Sequence, residues 1–302
     1  MPLSSYIFNL QPYIAMFKEF IDFCTVSRNL TPATIEHYAF VLSLWSAFLC
    51  QRAVTVEDAT SFDVLDFLAE CHRNGCQASS CNQYLVVLRC FYRWMVRFHY
   101  ELCQLSPAEE VQKMKCEKVL PVCLSKQLLD RIAASLPAAT FKQARTRAIF
   151  LACYHCGLRR GEVAALDDAS ADFSSRVLRV YGKGRKVRLV PMSDALIGAL
   201  REYVRLRSAS VSFPDALFVQ SDGQRLEPSQ VSFIIRQVLL RFVAPKFAHA
   251  HILRHSFATI CVESGVSLEN VAALMGHESI STTMRYLSVS PTRLFKQIAH
   301  VF

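Results

Sequence analysis

Five places in the 302-residue chain gather side chains that can do chemistry. In Cys156-Gly-Leu-Arg159-Arg160-Gly-Glu162 an arginine stands beside a glycine at an expected helix start, where free backbone N–H groups favour an anion. Gly182-Lys183-Gly184 puts a lysine at an expected hairpin tip, without the G-x-x-x-x-G-K-[ST] spacing of a nucleotide-binding loop. His251-Ile-Leu-Arg254-His255 spaces three polar side chains at i, i+3 and i+4, on one helix face. Met275-Gly276-His277 sets a histidine just past a glycine suited to end a helix. Ser281-Thr-Thr-Met-Arg-Tyr286 holds a tyrosine in a short expected helix.

Singly, each has a plain structural reading: Arg159 in a surface ion pair, Lys183 in a solvated turn, Tyr286 with its ring in a core and its hydroxyl wet. His251 and His255 are spaced for a metal, but Ile252 stands where H-E-x-x-H needs glutamate, and no nearby carboxylate or cysteine completes a set. A serine hydrolase lacks its G-x-S-x-G elbow. Together, the five places share one chemistry. Two arginines can hold the non-bridging oxygens of a phosphodiester and neutralise charge gathering in the transition state. A tyrosine can attack phosphorus and leave a covalent phosphotyrosyl link. Its ordinary pKa of about 10 requires a proton acceptor, which a histidine supplies, and a lysine can protonate the departing sugar oxygen. The phosphoester energy stays in the tyrosyl bond, so no metal and no nucleotide cofactor is needed.

The elements that must position these groups are mostly helical. Thr31-Pro32 is a cap followed by a first-turn proline, and Ile35, Tyr38, Leu42, Trp45 and Leu49 behind it form one apolar face. A second helix is expected over 61–73, ended by Asn74-Gly75, and a third over 79–99. In the third, Leu85, Leu88, Tyr92 and Met95 face a core, while Arg89, Arg93 and Arg97 step by four along a neighbouring face. That stripe suits DNA phosphates or simply a solvated helix face. Prolines at 107 and 121 with dense charge between them mark a linker over 107–124, dividing a helical domain, 1–106, from a second domain, 125–302. Ser125 caps a new helix, and another is expected over 141–154. Residues 176–181 and 186–190 flank Gly182-Lys183-Gly184 as a hairpin, and Pro191 and Ser193 then open another helix. Further helices are expected at 228–243, 250–263, 267–275, 281–287 and 292–300. The fold class is mainly α with a small antiparallel sheet.

Composition bounds the partners. The apolar fraction of 52% excludes a disordered chain, and the apolar run 39–50 is far too short to cross a bilayer. Residues 1–10 carry no basic group ahead of an apolar stretch, so no secretory signal is expected. The twelve cysteines lack finger-like spacing and suit a reducing cytoplasm. Residues 1–110 hold 7 basic and 11 acidic side chains, whereas 111–302 hold 27 and 14, a net of +13. A polyanion, with DNA or RNA ahead of a membrane surface, is the leading partner.

The order Arg159, Lys183, His251-x-x-Arg254, His277, Tyr286 resembles the tyrosine recombinase, or lambda-integrase-like, family. So do the fragments Cys-Gly-Leu-Arg-x-x-Glu, Gly-Lys-Gly-x-Lys-x-Arg-Leu-Val-Pro, His-x-Leu-Arg-His-Ser-Phe-Ala-Thr and Leu-Met-Gly-His-x-Ser-Ile-Ser-Thr-Thr, most like the bacterial Xer branch. The likeness is specific over 156–286 and architectural over 1–110. It implies Tyr286 as nucleophile, Arg159 and Arg254 as phosphate clamp, Lys183 as acid to the leaving 5′ oxygen, and His251 and His277 as the remaining catalytic pair. Arg159 is preferred to Arg160 by the Gly-Leu-Arg-x-x-Glu frame, and His255 is implied as a supporting residue. The implied fold is an N-terminal helical-bundle DNA-binding domain and a C-terminal mixed α/β catalytic domain, together a C-shaped clamp on duplex DNA. Ile260 and Leu287-Ser288 depart from common Xer residues without touching the catalytic set, and weaken assignment to one Xer type.

The implied function is site-specific recombination of duplex DNA through a 3′-phosphotyrosyl intermediate in the cytoplasm. Chromosome-dimer resolution is favoured by the short chain. A plasmid or phage integrase, a type IB topoisomerase and a non-catalytic DNA-binding protein on the same scaffold are the alternatives. Expected partners are a double-stranded recombination site, a second Xer-like subunit in a cyclic tetramer, and a septal DNA translocase, with no membrane. The stripe of Leu294, Phe295, Ile298 and Phe302 suits docking on a neighbouring subunit or on the chain's own domain.

Overall fold

The computed structural model describes residues 14–116, 122–182, 187–207 and 215–276. Lys183, His277, Tyr286 and the helices expected at 281–287 and 292–300 lie outside them. The chain divides into two compact units, Met1–Lys118 and Val119–Phe302.

The described helices of the first unit are α1 (Ile14–Val26), α2 (Pro32–Gln51), α3 (Ser61–Arg73) and α4 (Ala78–Phe98), and side-chain caps open α2 and α3. Thr31 accepts from the Thr34 N–H ahead of Pro32, and Thr60 with Asp63 closes a capping box on α3. By length and composition alone, the whole of α2 is apolar enough to span a bilayer, unlike the shorter run read from sequence. It serves instead as a core helix, burying Ile35, Tyr38, Val41, Leu42, Trp45, Phe48 and Leu49 among Phe17, Phe20, Phe67, Leu85 and Phe91. Burying Trp45 and Tyr92 demands partners for their polar atoms. The Trp45 Nε1–H donates to the Tyr92 hydroxyl at 3.1 Å, and that hydroxyl donates to the Val56 carbonyl at 3.0 Å.

Chain beyond α4 returns to this core, where Cys103, Ala108 and Val111 are buried. Arg89 causes the return: its Nε donates to the Ala108 carbonyl at 3.0 Å, and its Nη2 to the carbonyls of Val111 at 2.6 Å and Glu109 at 3.2 Å. The arginine stripe is therefore not uniform. Arg89 is half-buried and committed to the fold, Arg93 makes a two-pronged pair with Glu109, and Arg97 is exposed over the Phe98 ring.

The second unit packs its helices about α6 (Phe141–His155), which follows α5 (Lys126–Ser135). Ser125 caps α5, and Thr140 with Gln143 closes a box on α6. Ala144, Ala148, Ile149, Phe150, Leu151, Ala152 and Cys153 bury α6 on almost every face, and it packs most extensively on α8 (Asp194–Leu206), which Ser193 caps. In the chain between these two helices come α7 (Arg160–Ala164) and the antiparallel sheet β1 (Ala171–Asp172), β2 (Val177–Tyr181) and β3 (Val187–Pro191), in the order β1-β2-β3. The short β1, absent from the sequence reading, pairs Ala171 with Leu178, and the hairpin pairs Tyr181 with Val187 through to Val177 with Pro191. Among the described residues the unit goes on with α9 (Pro228–Leu239), shorter than the expected 228–243, α10 (Ala250–Glu263) and α11 (Leu268–Met275).

Candidate active site

Glu162 is the hub of the site. It lies in the first turn of the five-residue α7 with 7% of its side chain exposed, and its carboxylate turns back to accept the Arg159 backbone N–H at 2.8 Å. The helix start that suggested an anion site thus holds the protein's own anion. Arg159 Nη1 donates to Oε1 at 2.8 Å, and Arg188 on β3 donates from Nη1 to Oε1 at 2.9 Å and from Nη2 to Oε2 at 2.8 Å. Arg254, on the second turn of α10, lies 3.8 Å from Oε2. Burial by itself would raise the Glu162 carboxyl. The hydrogen bonds from Arg188 and Arg159, with the Arg188 charge, outweigh it and hold the group below its ordinary value of 4.5.

Arg254 is 4% exposed, and two carbonyls fix its plane. Nη1 donates to Gly157 at 2.6 Å and Nη2 to Met275 at 2.5 Å. Gly157 has a φ of +60°, and a Cβ there would fall 2.4 Å from Cδ1 of Phe257, so only glycine lets the turn after α6 pass this close to α10. Arg159 Nη1 also reaches the Met275 carbonyl, at 3.4 Å, while its side chain stays 38% exposed. Two arginines 95 positions apart in sequence thus meet at one carboxylate and one carbonyl. Gly276 ends α11 with a φ of +61°.

His249 caps α10, its Nδ1 accepting the Ile252 N–H at 3.2 Å. His251 follows in the first turn. Partial burial, then the charges of Arg254, His249, Arg160 and Arg159, lower its pKa below 6.5, so the imidazole is neutral and able to accept a proton at neutral pH. The His251 and His255 ring centroids are 6.4 Å apart. Arg160 points elsewhere, donating to Ser232 Oγ at 3.3 Å. Among the described residues, the site therefore joins Arg159, His251 and Arg254 of the expected set.

Sequence reasoning gave Glu162 and Arg188 no part beyond their motifs. Both left a signal. Glu162 stands three residues after Arg159, and Arg188 shares the inward parity of Val190 on β3, where an apolar side chain is the rule.

Two family models match the chain: the phage integrase family over residues 123–293, and the phage integrase N-terminal SAM-like domain over 17–99. The chain belongs to the phage integrase family. It is a tyrosine recombinase of the Xer type. Tyrosine recombinase XerC of Chromobacterium violaceum is 34% identical over 289 residues, covering 94% of this chain and 92% of the relative. Tyrosine recombinase XerC of Shewanella amazonensis is 30% identical over 285 residues, covering 94% and 93%. Among solved structures, XerH site-specific recombinase bound to a palindromic difH substrate in a post-cleavage complex superposes with a TM-score of 0.77. It shares 18% identity and covers 98% of this chain and 88% of that one, which establishes the common fold. The SAM-like match of this tyrosine recombinase takes in α2, α3 and α4, and the phage integrase match takes in the Glu162 cluster.

Proposed function

We propose that this tyrosine recombinase, an enzyme that cleaves and rejoins DNA strands, uses Tyr286 as its nucleophile and the Glu162 cluster as its phosphate site. The convergence of Arg159 and Arg254 on Glu162 and Met275 carries the reading, because it sets two guanidiniums at one place for the charge of a single phosphodiester. The Tyr286 oxygen attacks phosphorus, neutral His251 receives the phenolic proton, and Lys183 protonates the departing 5′ oxygen as the P–O5′ bond breaks. A 3′-phosphotyrosyl link results, and a free 5′ hydroxyl reverses the step to seal a strand. His277 completes the set.

The reading extends to the larger assembly. The first unit, with Arg93 and Arg97 of α4, adds DNA contacts. Residues 1–106 form the DNA-binding domain, 107–124 the connection and 125–302 the catalytic domain. The enzyme acts in the cytoplasm on a duplex recombination site, within a cyclic tetramer containing a second Xer-like subunit and responsive to a septal DNA translocase, to resolve chromosome dimers. The relatives' shared name, tyrosine recombinase, and their near-complete coverage support the DNA recombination in this reading.

Mapping covalent protein–DNA adducts on genomic DNA tests this, with Tyr286→Phe as control. One chromosomal site for the wild type and none for the variant is the expected result. Adducts formed by Tyr286→Phe would remove the nucleophile assignment, adducts scattered without a site would point to topoisomerase-like relaxation, and binding without adducts would point to a non-catalytic role.

A further inference from the structure

Arg188 is a mostly buried arginine to which the chemistry above gives no part. On β3, Val187 and Leu189 face solvent and Val190 faces the core, and Arg188 takes the inward side with 11% of its side chain exposed. A lone cation in that position costs several kcal/mol, so its partners define what it does. Both Nη groups bind the Glu162 carboxylate side by side, and Nε donates to the Leu274 carbonyl at 2.7 Å. Gly276 lies so close that a Cβ there would sit 3.1 Å from Arg188 Nη1. One guanidinium thereby joins the hairpin strand, the turn that carries Arg159 and the last turn of α11.

Resting on the phosphate-site reading above, we propose that Arg188 is a positioning residue for strand cleavage, acting through Glu162 to hold Arg159 and Arg254 in register on one phosphate. Glu162 is drawn by Arg159 on one side and by Arg188 on the other, so the carboxylate has a single position while both hold. The carbonyls at the end of α11 are divided in the same way: Leu274 goes to Arg188 and Met275 to Arg254. Helix ends leave their last carbonyls without helical partners, and here Arg188 and Arg254 supply them, with a longer bond from Arg159 to Met275. Without Arg188, Glu162 follows the more exposed Arg159, and the end of α11, directly before His277 in the chain, loses the bond that holds the Leu274 carbonyl. A small displacement of this kind is enough to slow a reaction that depends on alignment.

The test uses the full-length protein and a nicked duplex carrying the cleavage site mapped as above. Arg188→Met should keep DNA affinity while covalent adduct formation at saturating DNA falls on the order of 100-fold. Arg188→Lys should recover part of that rate, since one bond to Glu162 is restored. The double variant Glu162→Gln/Arg188→Met should be no slower than the slower single variant, as expected for residues acting in one chain of contacts. It also removes the orphaned carboxylate charge, so it and Arg188→Lys carry the comparison if Arg188→Met does not fold. Wild-type rates in Arg188→Met, losses that multiply in the double variant, or affinity and rate falling together would each overturn the role of Arg188. A wild-type protein that forms no adduct on any DNA would instead overturn the phosphate-site reading, and this role with it.

Discussion

At the scale of single residues, Arg159 and Arg254 are expected to fail differently when removed. Both should slow cleavage about 100-fold or more, as for loss of a transition-state donor. Arg254→Ala also strips the Arg254 bond from the Gly157 carbonyl and leaves the Met275 carbonyl only the longer bond from Arg159, and an orphaned buried group costs about 1–3 kcal/mol. Thermal melting beside the cleavage assay should show a large loss for Arg254→Ala and a smaller one for the more exposed Arg159→Ala. His251 supplies a pH signature. Its lowered pKa keeps the ring neutral through neutral pH, so cleavage should be level there and fall only as pH drops through the depressed value, below 6.5. A pH–rate profile of His251→Gln should be slower and lack that acid limb. An unchanged limb would assign the titration to another group.

At the scale of elements, α4 shows how one helix face serves two ends. Arg89 closes the chain after α4 onto the first core with three carbonyl bonds, and hydrogen bonds from a charged donor are worth about 1.5–3 kcal/mol. Arg89→Ala should therefore lower the stability of the first unit by about 2 kcal/mol or more, seen as an earlier melting transition. Arg93→Ala breaks only an exposed pair with Glu109, worth about 0–1 kcal/mol, and Arg97→Ala only a ring contact at the surface. Both should melt like the wild type and bind DNA more weakly. Unchanged affinity in both would leave Arg93 and Arg97 as surface residues with no part in binding.

At the scale of the whole molecule, charge and the chain end make two predictions. The +13 excess over residues 111–302 should make DNA affinity fall steeply with salt, because each neutralised phosphate releases counterions. Titrations at several salt concentrations would show it, and a flat response would exclude extensive backbone contact. The tail stripe Leu294, Phe295, Ile298 and Phe302, read from sequence as one face of a short helix, is expected to dock on a neighbouring subunit or on the chain's own domain. Deleting residues 292–302 should spare binding to one site and abolish synapsis and strand exchange, measured by gel shift and by recombination of a two-site plasmid. Full recombination by the truncated chain would deny the tail a coupling role.

The sequence by itself determined what is local. Thr31, Ser125 and Ser193 mark helix starts because a cap is a contact within four residues, and α3 and α10 run over the spans expected for them. The hairpin of the sheet was visible in the same way, as two alternating strands about a glycine-flanked tip, whereas the short β1 was not. The family likeness added an order of catalytic residues, but a list of roles carries no distances. Only the tertiary structure decided that Arg159, Arg188 and Arg254 meet at Glu162, and that Arg89 serves the fold where Arg97 faces solvent. A residue's own element sets the direction of its side chain. Which elements face each other depends on how the apolar surfaces of α6, α8, α10 and the sheet pack, and that is a property of the whole core.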